Sequence, residues 1–440
     1  MLDIKFIREN ADKVKTGIKN RGANADIDRL LALDAKRREL ITALEAKRAE
    51  QNVAGGKIAS QADGAARDAA IAEMRNLKAE VKVAEQELEE TGREYEPLLL
   101  SIPNIPFDDV PVGPDESGNT VLREVGEPPK FGFEPKDHVE LGETLGVIDS
   151  KTAGEVAGSR FVYLKGDLAL MQYALVQFVM SVITDSKTLK KIIKKAGLDL
   201  PDTPFIAVVP PLMIRPEVFA RMARLEPREE RYHIPSDDLF LIGSAEHTLG
   251  PMHMDEILHE NDLPLRYAAF TAAFRREAGS YGKDIRGIIR QHQFDKLEME
   301  SFSLPEKSRE EQDLFVAIQE HVLQSLELPY RVVAICTGDM GSPDARQIDM
   351  ECWMPGQGAY RETHTSDLMT DYQARRLGTR VRRNDGEMQY AHMNDATAVA
   401  VGRTLVAIME NRQRKDGSIS VPKVLTPFMG GRTAVGNLRG

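Results

Sequence analysis

Phe274-Arg275-Arg276-Glu277-Ala278-Gly279-Ser280-Tyr281-Gly282-Lys283-Asp284-Ile285-Arg286-Gly287-Ile288-Ile289-Arg290-Gln291-His292-Gln293-Phe294-Asp295-Lys296-Leu297-Glu298 is the stretch from which the fold can be read. An apolar run, Tyr267 to Phe274, ends in Arg-x-Glu, and a loop rich in glycine and charge follows it. A second, alternating run then returns with His292, Phe294, Leu297 and Glu298. Two such runs about a Gly-rich loop predict a β-hairpin. Its tip holds several cations, and its strands can offer an aromatic face and carboxylates. Cations suit phosphates, a ring suits a base and acids suit an ammonium, so the set fits a site that joins ATP to an amino acid.

At 440 residues the chain predicts two domains and a large core. Its formal charge of −11, with 29% charged residues, is that of a soluble protein and gives no support to a nucleic-acid partner, although it excludes none. The two cysteines, Cys336 and Cys352, lack metal spacing and read as buried thiols in a reducing compartment. Near the N-terminus no apolar stretch is long enough to span a bilayer, and no signal-peptide pattern opens the chain, so a cytoplasmic protein without a membrane association is expected.

Residues 1–21 read as one short helix (Ile4, Ile7, Val14, Ile18) that stops at Gly22. Two long helical patterns follow, from Asp28 to about Val53 and from about Ala66 to Leu98, with the Gly- and Ala-rich stretch 54–65 between them. The second keeps a 4-3-4-3 spacing through Ala70, Met74, Leu77, Val81, Ala84, Leu88, Thr91, Tyr95 and Leu98; the first is looser, with Leu30, Leu33, Leu40 and Leu44 on one stripe. Two stripes joined by a turn predict an antiparallel coiled-coil hairpin, each arm on the order of 40 Å or more long. Helix one begins basic (Arg29, Lys36, Arg37, Arg38) and helix two ends acidic (Glu85, Glu87, Glu89, Glu90, Glu94, Glu96), blocks that an antiparallel pairing lays side by side. On pattern alone such a hairpin is an oligomerisation device.

Pro103, Pro106, Pro111 and Pro114 mark a linker, placing the boundary between domains 1–104 and 105–440. Beyond it, helices (Gly166 to Thr184, Arg309 to Leu326) mix with short β-rich runs (Phe205 to Val209, Tyr267 to Phe274, Arg331 to Ile335), which predicts an α+β domain on an antiparallel sheet. A P-loop is excluded because Lys57, after Gly55-Gly56, precedes Ile58. Gly356-Gln357-Gly358 lacks the third glycine of a dinucleotide loop, and His247, His253 and His259, six residues apart, lack zinc spacing and read as ordinary polar side chains.

The 274–298 stretch closely resembles motif 2 of class II aminoacyl-tRNA synthetases, in the form found in the seryl-tRNA synthetase family. Four further segments carry the resemblance. Ser159 to Ala169, with the helix after it and the strand ending Val209-Pro210-Pro211, resembles motif 1, the dimer-forming element; Leu241-Ile242-Gly243-Ser244-Ala245-Glu246 resembles the family's serine-holding Thr-Ala-Glu loop, with Ser244 in place of the threonine. Tyr360-Arg361-Glu362, followed by Asp371 to Leu377, resembles the ATP and metal strand, and Ala400 to Asn411 resembles motif 3, an arginine opening a helix. The start, Met1 to Asn10, and the helical arm also match the bacterial type, so the likeness spans the whole chain.

The resemblance implies an N-terminal arm that grips tRNA and a class II catalytic domain. The reaction it implies is activation of L-serine by ATP and transfer to tRNA(Ser), with tRNA(Sec) as a second acceptor, by a homodimer. Serine's carboxylate is ionised at neutral pH, so positioning and charge stabilisation outweigh general-base catalysis. Arg275 is then the α-phosphate clamp, Glu277 takes the adenine edge, and Phe294 and Arg403 sandwich the ring. Arg286 reaches the β- and γ-phosphates; Gln291 lies beside the nucleotide, with Arg276, Thr363, His364 and Thr365 nearby. Glu362 is the Mg²⁺ ligand. Glu246 and Glu298, helped by Ser244, Ala245 and Thr397, form the serine pocket. Two departures stand out. After Glu362 the family has Ile-Ser-Ser-Cys-Ser-Asn where this chain has Thr363-His364-Thr365-Ser366-Asp367-Leu368, and Asp395-Ala396-Thr397 replaces Asn-Gly-Ser. The rival readings are a related ligase for another small amino acid or for a carrier protein, and a non-catalytic coiled-coil protein on the same scaffold. Lys47, Arg48, Lys57 and Arg67 near the tip of the arm favour an RNA over a protein partner.

Overall fold

A computed structural model of the chain describes residues 1–60, 64–278 and 287–438. They divide into two compact units, Met1–Ile105 and Pro106–Gly440.

In the first unit, two helices, Ile4–Glu9 and Ala11–Asn20, stand where one was expected. The Asp3 carboxylate caps the first by accepting from the Lys5 amide, and Asn10, at φ −133°, separates the two. Ile7, Val14 and Ile18 are buried, as the apolar period requires. The two long helices, Ile27–Ser60 and Ala65–Ser101, are longer than their periodicity suggests, each roughly 50 Å at the usual rise. Gly55 and Gly56 do not end the first of them, because the stripe continues through buried Ala54 and tertiary packing overrides weak local propensity.

Leu30, Leu33 and Leu44 face Leu77, Val81, Ala84, Thr91 and Tyr95 as buried positions of the hairpin, and Leu99, not Leu98, closes the stripe. The antiparallel register is marked by Arg29 with Glu94 at 2.7 Å, Arg48 with Glu85 at 2.7 Å, and Lys47 with Glu80. Exposed pairs of this kind stabilise by less than about 1 kcal/mol, so they select register more than they hold the fold. Two of the four tip cations named above, Lys47 and Arg48, are thus engaged within the hairpin itself.

The second unit is built on an eight-stranded sheet. Its strands in chain order are β1 (Thr120–Val125), β2 (Ile206–Val208), β3 (Leu265–Phe274), β4 (Gln293–Ser303), β5 (Tyr330–Ala334), β6 (Arg346–Met354), β7 (Ala359–Thr370) and β8 (His392–Ala400). In space they run β1-β5-β6-β7-β8-β4-β3-β2, antiparallel except for the β2–β3 pair. The predicted hairpin is β3–β4, with Phe274 opposite Gln293 and Glu298 opposite Ala269.

β4 is buried on both faces from Lys296 to Ser303. Leu297 and Met299 enter the main core, whereas Lys296, Glu298 and Glu300 alternate with them onto the other face. Helix Gly166–Ile183 is long and apolar enough to cross a membrane by length and composition, yet half of it is buried; Leu168, Met171, Leu175 and Val179 pack into that same core.

Helix Ser308–Ser325 fixes the site strands with buried polar side chains. Gln319 donates to the Thr365 carbonyl of β7 at 2.7 Å and to the Thr397 carbonyl of β8 at 2.9 Å. Arg266 of β3, 1% exposed, forms a two-point pair with Glu311 at 2.8 and 2.6 Å and donates to the carbonyls of Pro201 and Thr203. That pair anchors the strand that carries Arg275. Glu311→Ala should leave a buried guanidinium without its carboxylate and cost about 3–5 kcal/mol. Urea unfolding monitored on the second unit checks it; a loss under about 1 kcal/mol would contradict the anchoring role.

Candidate active site

β3 and β4 deliver their side chains to a cleft because the hairpin register puts Arg275 and Phe294 together at its loop end. The Arg275 guanidinium lies 5.4 Å over the Phe294 ring, and its Nε donates to the Gly243 carbonyl at 3.1 Å. Opposite, Arg403 enters from the first turn of helix Val401–Asn411 and donates to both the carbonyl (3.2 Å) and the carboxylate (2.7 Å) of Glu362 on β7. Desolvation opposes ionisation of Glu362, but Arg403, Arg275 and Lys296 outweigh it and hold the carboxyl below its ordinary range. Arg275, Phe294, Glu362 and Arg403 are walls of one cavity of about 280 Å³, together with Glu277, Gln291, Thr363, Thr365, Lys296 and Thr397. It shares Ile289, Arg290, Glu362 and Arg403 with a larger cavity of about 640 Å³.

Glu277 sits at φ +52°, a left-handed conformation unusual for a side chain, and pairs with Arg290 at 3.1 Å. Gly402 lets the helix start approach Ile288: a Cβ there would lie 3.0 Å from its carbonyl oxygen.

Beneath the cleft is a buried polar layer. Ser244 donates to Glu298 at 2.8 Å, and Lys296 reaches both Glu298 (2.5 Å) and Ser244 (3.2 Å). Glu298 is 0% exposed, and its Oε1 has no hydrogen-bond partner among the described residues. Thr397 stands directly across from Glu298 in the β4–β8 ladder. Glu246 is held by Arg224 at 3.1 Å and His247 at 3.3 Å. Burial would raise its carboxyl, but Arg224 and His247 hold it well below the usual range. Carboxylate oxygens of Glu246, Glu298 and Asp395 lie within 4.8 Å of one another. Burial, with Glu246 and Glu298 beside it, pushes the Glu300 carboxyl well up.

The structure thus brings together Arg275, Glu277, Gln291, Phe294, Glu362, Thr363, Thr365, Thr397 and Arg403 around the cavity, with Ser244, Ala245, Glu246 and Glu298 buried below it. It does not bring Arg276 or His364 to these walls. Arg276 is exposed and lies 5.9 Å over the Tyr232 ring, because β3 has ended and successive residues diverge. His364 is 0% exposed and meets Thr363 Oγ1 at 2.9 Å; burial pushes its ring down to about 3. Arg286 lies outside the described residues.

Sequence reasoning passed over Lys296, although its phase with Phe294 and Glu298 on an alternating strand points to the same face. It also missed Arg224 and Asp349, the acceptor of the Thr365 hydroxyl, for which no local pattern exists.

Family comparisons cover the whole chain. Residues 1–106 match the seryl-tRNA synthetase N-terminal domain, and residues 231–412 match the tRNA synthetase class II core domain (G, H, P, S and T). A serine–tRNA ligase of Thermodesulfovibrio yellowstonii is 42% identical over 436 residues, covering 98% of this chain and 99% of its own. That of Rubrobacter xylanophilus is 41% identical, covering 100% of both. The chain belongs to the seryl-tRNA synthetase family. Among solved structures, the seryl-tRNA synthetase of Pyrococcus horikoshii, complexed with ATP, superposes with a TM-score of 0.88 at 36% identity over 100% of both chains. This seryl-tRNA synthetase fold therefore has a solved relative that holds the nucleotide.

The buried imidazole of His247 gives the layer a pH signature. Burial pushes it down to about 4 from 6.5, against the pull of Glu246. Above pH 6.5 folded and unfolded chains are both neutral there. Below it the unfolded chain takes up a proton that the folded chain refuses until about pH 4, so stability is lost as pH falls through that window. The slope is at most about 1.4 kcal/mol per pH unit from this group. His247→Asn, which can still accept from the Gly243 amide, should flatten the loss between pH 6.5 and 4 in urea titrations; an unchanged slope would contradict the assignment.

Proposed function

We propose a residue-by-residue account of how this serine–tRNA ligase joins serine to tRNA(Ser). The observation that carries it is the orphaned Glu298 Oε1, buried among carboxylates directly beneath a cleft walled by Arg275, Phe294 and Arg403. An ammonium donor satisfies that oxygen, and Glu246 and Glu298 together bind serine's amino group. Ser244, Lys296 and Thr397 border the space left for its hydroxyl. A site built to bond that hydroxyl rejects alanine, whose binding would leave buried polar groups unpaired.

The nucleotide occupies the cleft above. Phe294 and Arg403 take the adenine between them, which requires Arg403 to loosen from Glu362, and Glu277 and Gln291 border the ring. Serine's carboxylate oxygen attacks the α-phosphorus; the new O–P bond forms as the bridging bond to diphosphate breaks. Arg275 stabilises the charge that accumulates on the α-phosphate, acting chiefly in the transition state. A terminal ribose hydroxyl of tRNA then attacks the carbonyl carbon of seryl-adenylate, and AMP leaves.

Glu362 would hold Mg²⁺. A half-exposed carboxylate at the cavity rim fits an ion that prefers one or two protein oxygens plus phosphates and water. When bound, the ion neutralises and orients the phosphates. The first unit, up to Ile105, is read as the tRNA-gripping domain and the remainder as the catalytic one. Leu170 and Tyr173, exposed on helix Gly166–Ile183, are read as part of a homodimer face, and the protein as cytoplasmic with tRNA(Sec) as a second acceptor.

One set of variants tests the division of labour. Deleting residues 40–85 should spare serine-dependent ATP–pyrophosphate exchange and reduce tRNA charging by two or more orders of magnitude. Arg275→Ala should lower exchange by on the order of 100-fold with the fold intact. Light scattering should report dimers for the full-length proteins. Unchanged charging by the deletion, exchange within threefold of wild type for Arg275→Ala, or a monomer at micromolar concentration would each overturn the corresponding assignment.

A further inference from the structure

Arg224 follows the short helix Pro216–Arg221, and the residue before it, Ala223, has φ +57°. A left-handed alanine costs on the order of 1 kcal/mol and persists where surrounding structure requires the turn. Here the turn ends the helix, with the Arg224 amide bonded to the Phe219 carbonyl. The guanidinium, 16% exposed, lies near four carboxylates from four separate segments: Glu246 at 3.1 Å, Asp395 at 3.3 Å, Asp344 at 3.8 Å and Asp367 at 3.9 Å. Gly341 makes room for this cluster, since a Cβ there would sit 2.4 Å from the Asp344 carboxylate and 3.4 Å from the Arg224 guanidinium.

Two of those acids, Asp367 of β7 and Asp395 of β8, belong to the site strands themselves. Both are buried, and neither position is tolerable for an uncompensated carboxylate. The two lie on neighbouring strands, face each other in the β7–β8 ladder, and meet at a single cation. On Glu246, Arg224 and His247 both bind Oε1. Both contacts thus fall on one oxygen of the Glu246 carboxylate.

We propose that Arg224 is a positioning residue for serine: it fixes the Glu246 carboxylate with Oε2 turned to the ammonium and keeps it apart from the acids Asp367 and Asp395 packed against the same guanidinium. It touches neither serine nor ATP. The proposal rests on the reading of Glu246 and Glu298 as the ammonium acceptors. Arg224, Asp367 and Asp395 then form one unit, and the unit sets the affinity for serine without altering the nucleotide cleft above.

Steady-state ATP–pyrophosphate exchange tests it. Arg224→Met should raise the KM for serine by on the order of 30-fold, the loss expected when the ion-pair partner of a buried binding carboxylate goes. The KM for ATP should stay within about threefold. Adding Asp367→Ser and Asp395→Asn, which remove the two acids that crowd Glu246 once Arg224 is gone, should bring the serine KM back to within about fivefold. Arg224→Lys keeps the charge but loses the fork that reaches Glu246 and Asp395 together. It decides the matter should Arg224→Met not fold, with an expected rise in serine KM of about tenfold. A serine KM unchanged in the folded variants, or no recovery in the triple variant, overturns the proposal. Glu298→Ala run alongside separates the two claims. If it raises the serine KM while the Arg224 variants do not, only the role of Arg224 falls. If it leaves the serine KM unchanged, the pocket reading falls and this proposal with it.

Discussion

A central strand of the catalytic sheet carries Lys296, Glu298 and Glu300 on one face, with every residue from 296 to 303 buried, and the surrounding architecture answers to that constraint. Ionised groups inside a protein are tolerated only when paired and hydrogen-bonded. The partners come from far along the chain. Lys296 and Ser244 satisfy one Glu298 oxygen, Arg224 and His247 hold Glu246, and the remaining Glu298 oxygen is left for a ligand. Stability and function pull against each other there. A pocket that binds an ammonium by incomplete satisfaction of its own carboxylates costs folding energy in the empty state, and the rest of the sheet supplies the rigidity that keeps it from collapsing.

That rigidity comes from side chains that reach across layers. Gln319 ties the carbonyls of Thr365 and Thr397, residues on two strands that both face the cleft, and Arg266 pins β3 to helix Ser308–Ser325 through Glu311. The nucleotide walls above are looser. Arg275 rests on the Phe294 face and Arg403 on Glu362, contacts that a bound nucleotide and its metal would exchange for their own. The two halves of the site are thus built differently: a fixed amino-acid pocket below, and a cationic cleft above whose groups hold one another until phosphates arrive.

Much of this was legible in the sequence where the information is local. The 267–298 hairpin announces itself by period-two alternation about a glycine-rich loop, and the arm by its 4-3-4-3 stripe; both are present. What failed to show was set by tertiary packing or by capping. The first helix breaks at Asn10 although its apolar period continues, because Asp3 and Asn10 impose ends that periodicity does not record. The long helix continues past Gly55-Gly56 because its partner helix buries the stripe. Arg276 and His364 fall off the cleft because adjacent residues in extended chain point apart. Arg224 has no motif at all; it is meaningful only beside carboxylates that the fold gathers, two of which the sequence registered as departures without showing what they meet.

The central claim is that the buried carboxylate layer under the cleft is a serine pocket and not one for another small amino acid. ATP–pyrophosphate exchange by the full-length enzyme across serine, threonine, alanine and glycine tests it most directly. Serine should be favoured in kcat/KM by a factor of about 10³ or more over alanine and glycine, since both leave buried polar groups unpaired. Threonine should fall well below serine. Comparable exchange with alanine or glycine, or a clear preference for threonine, would contradict the account.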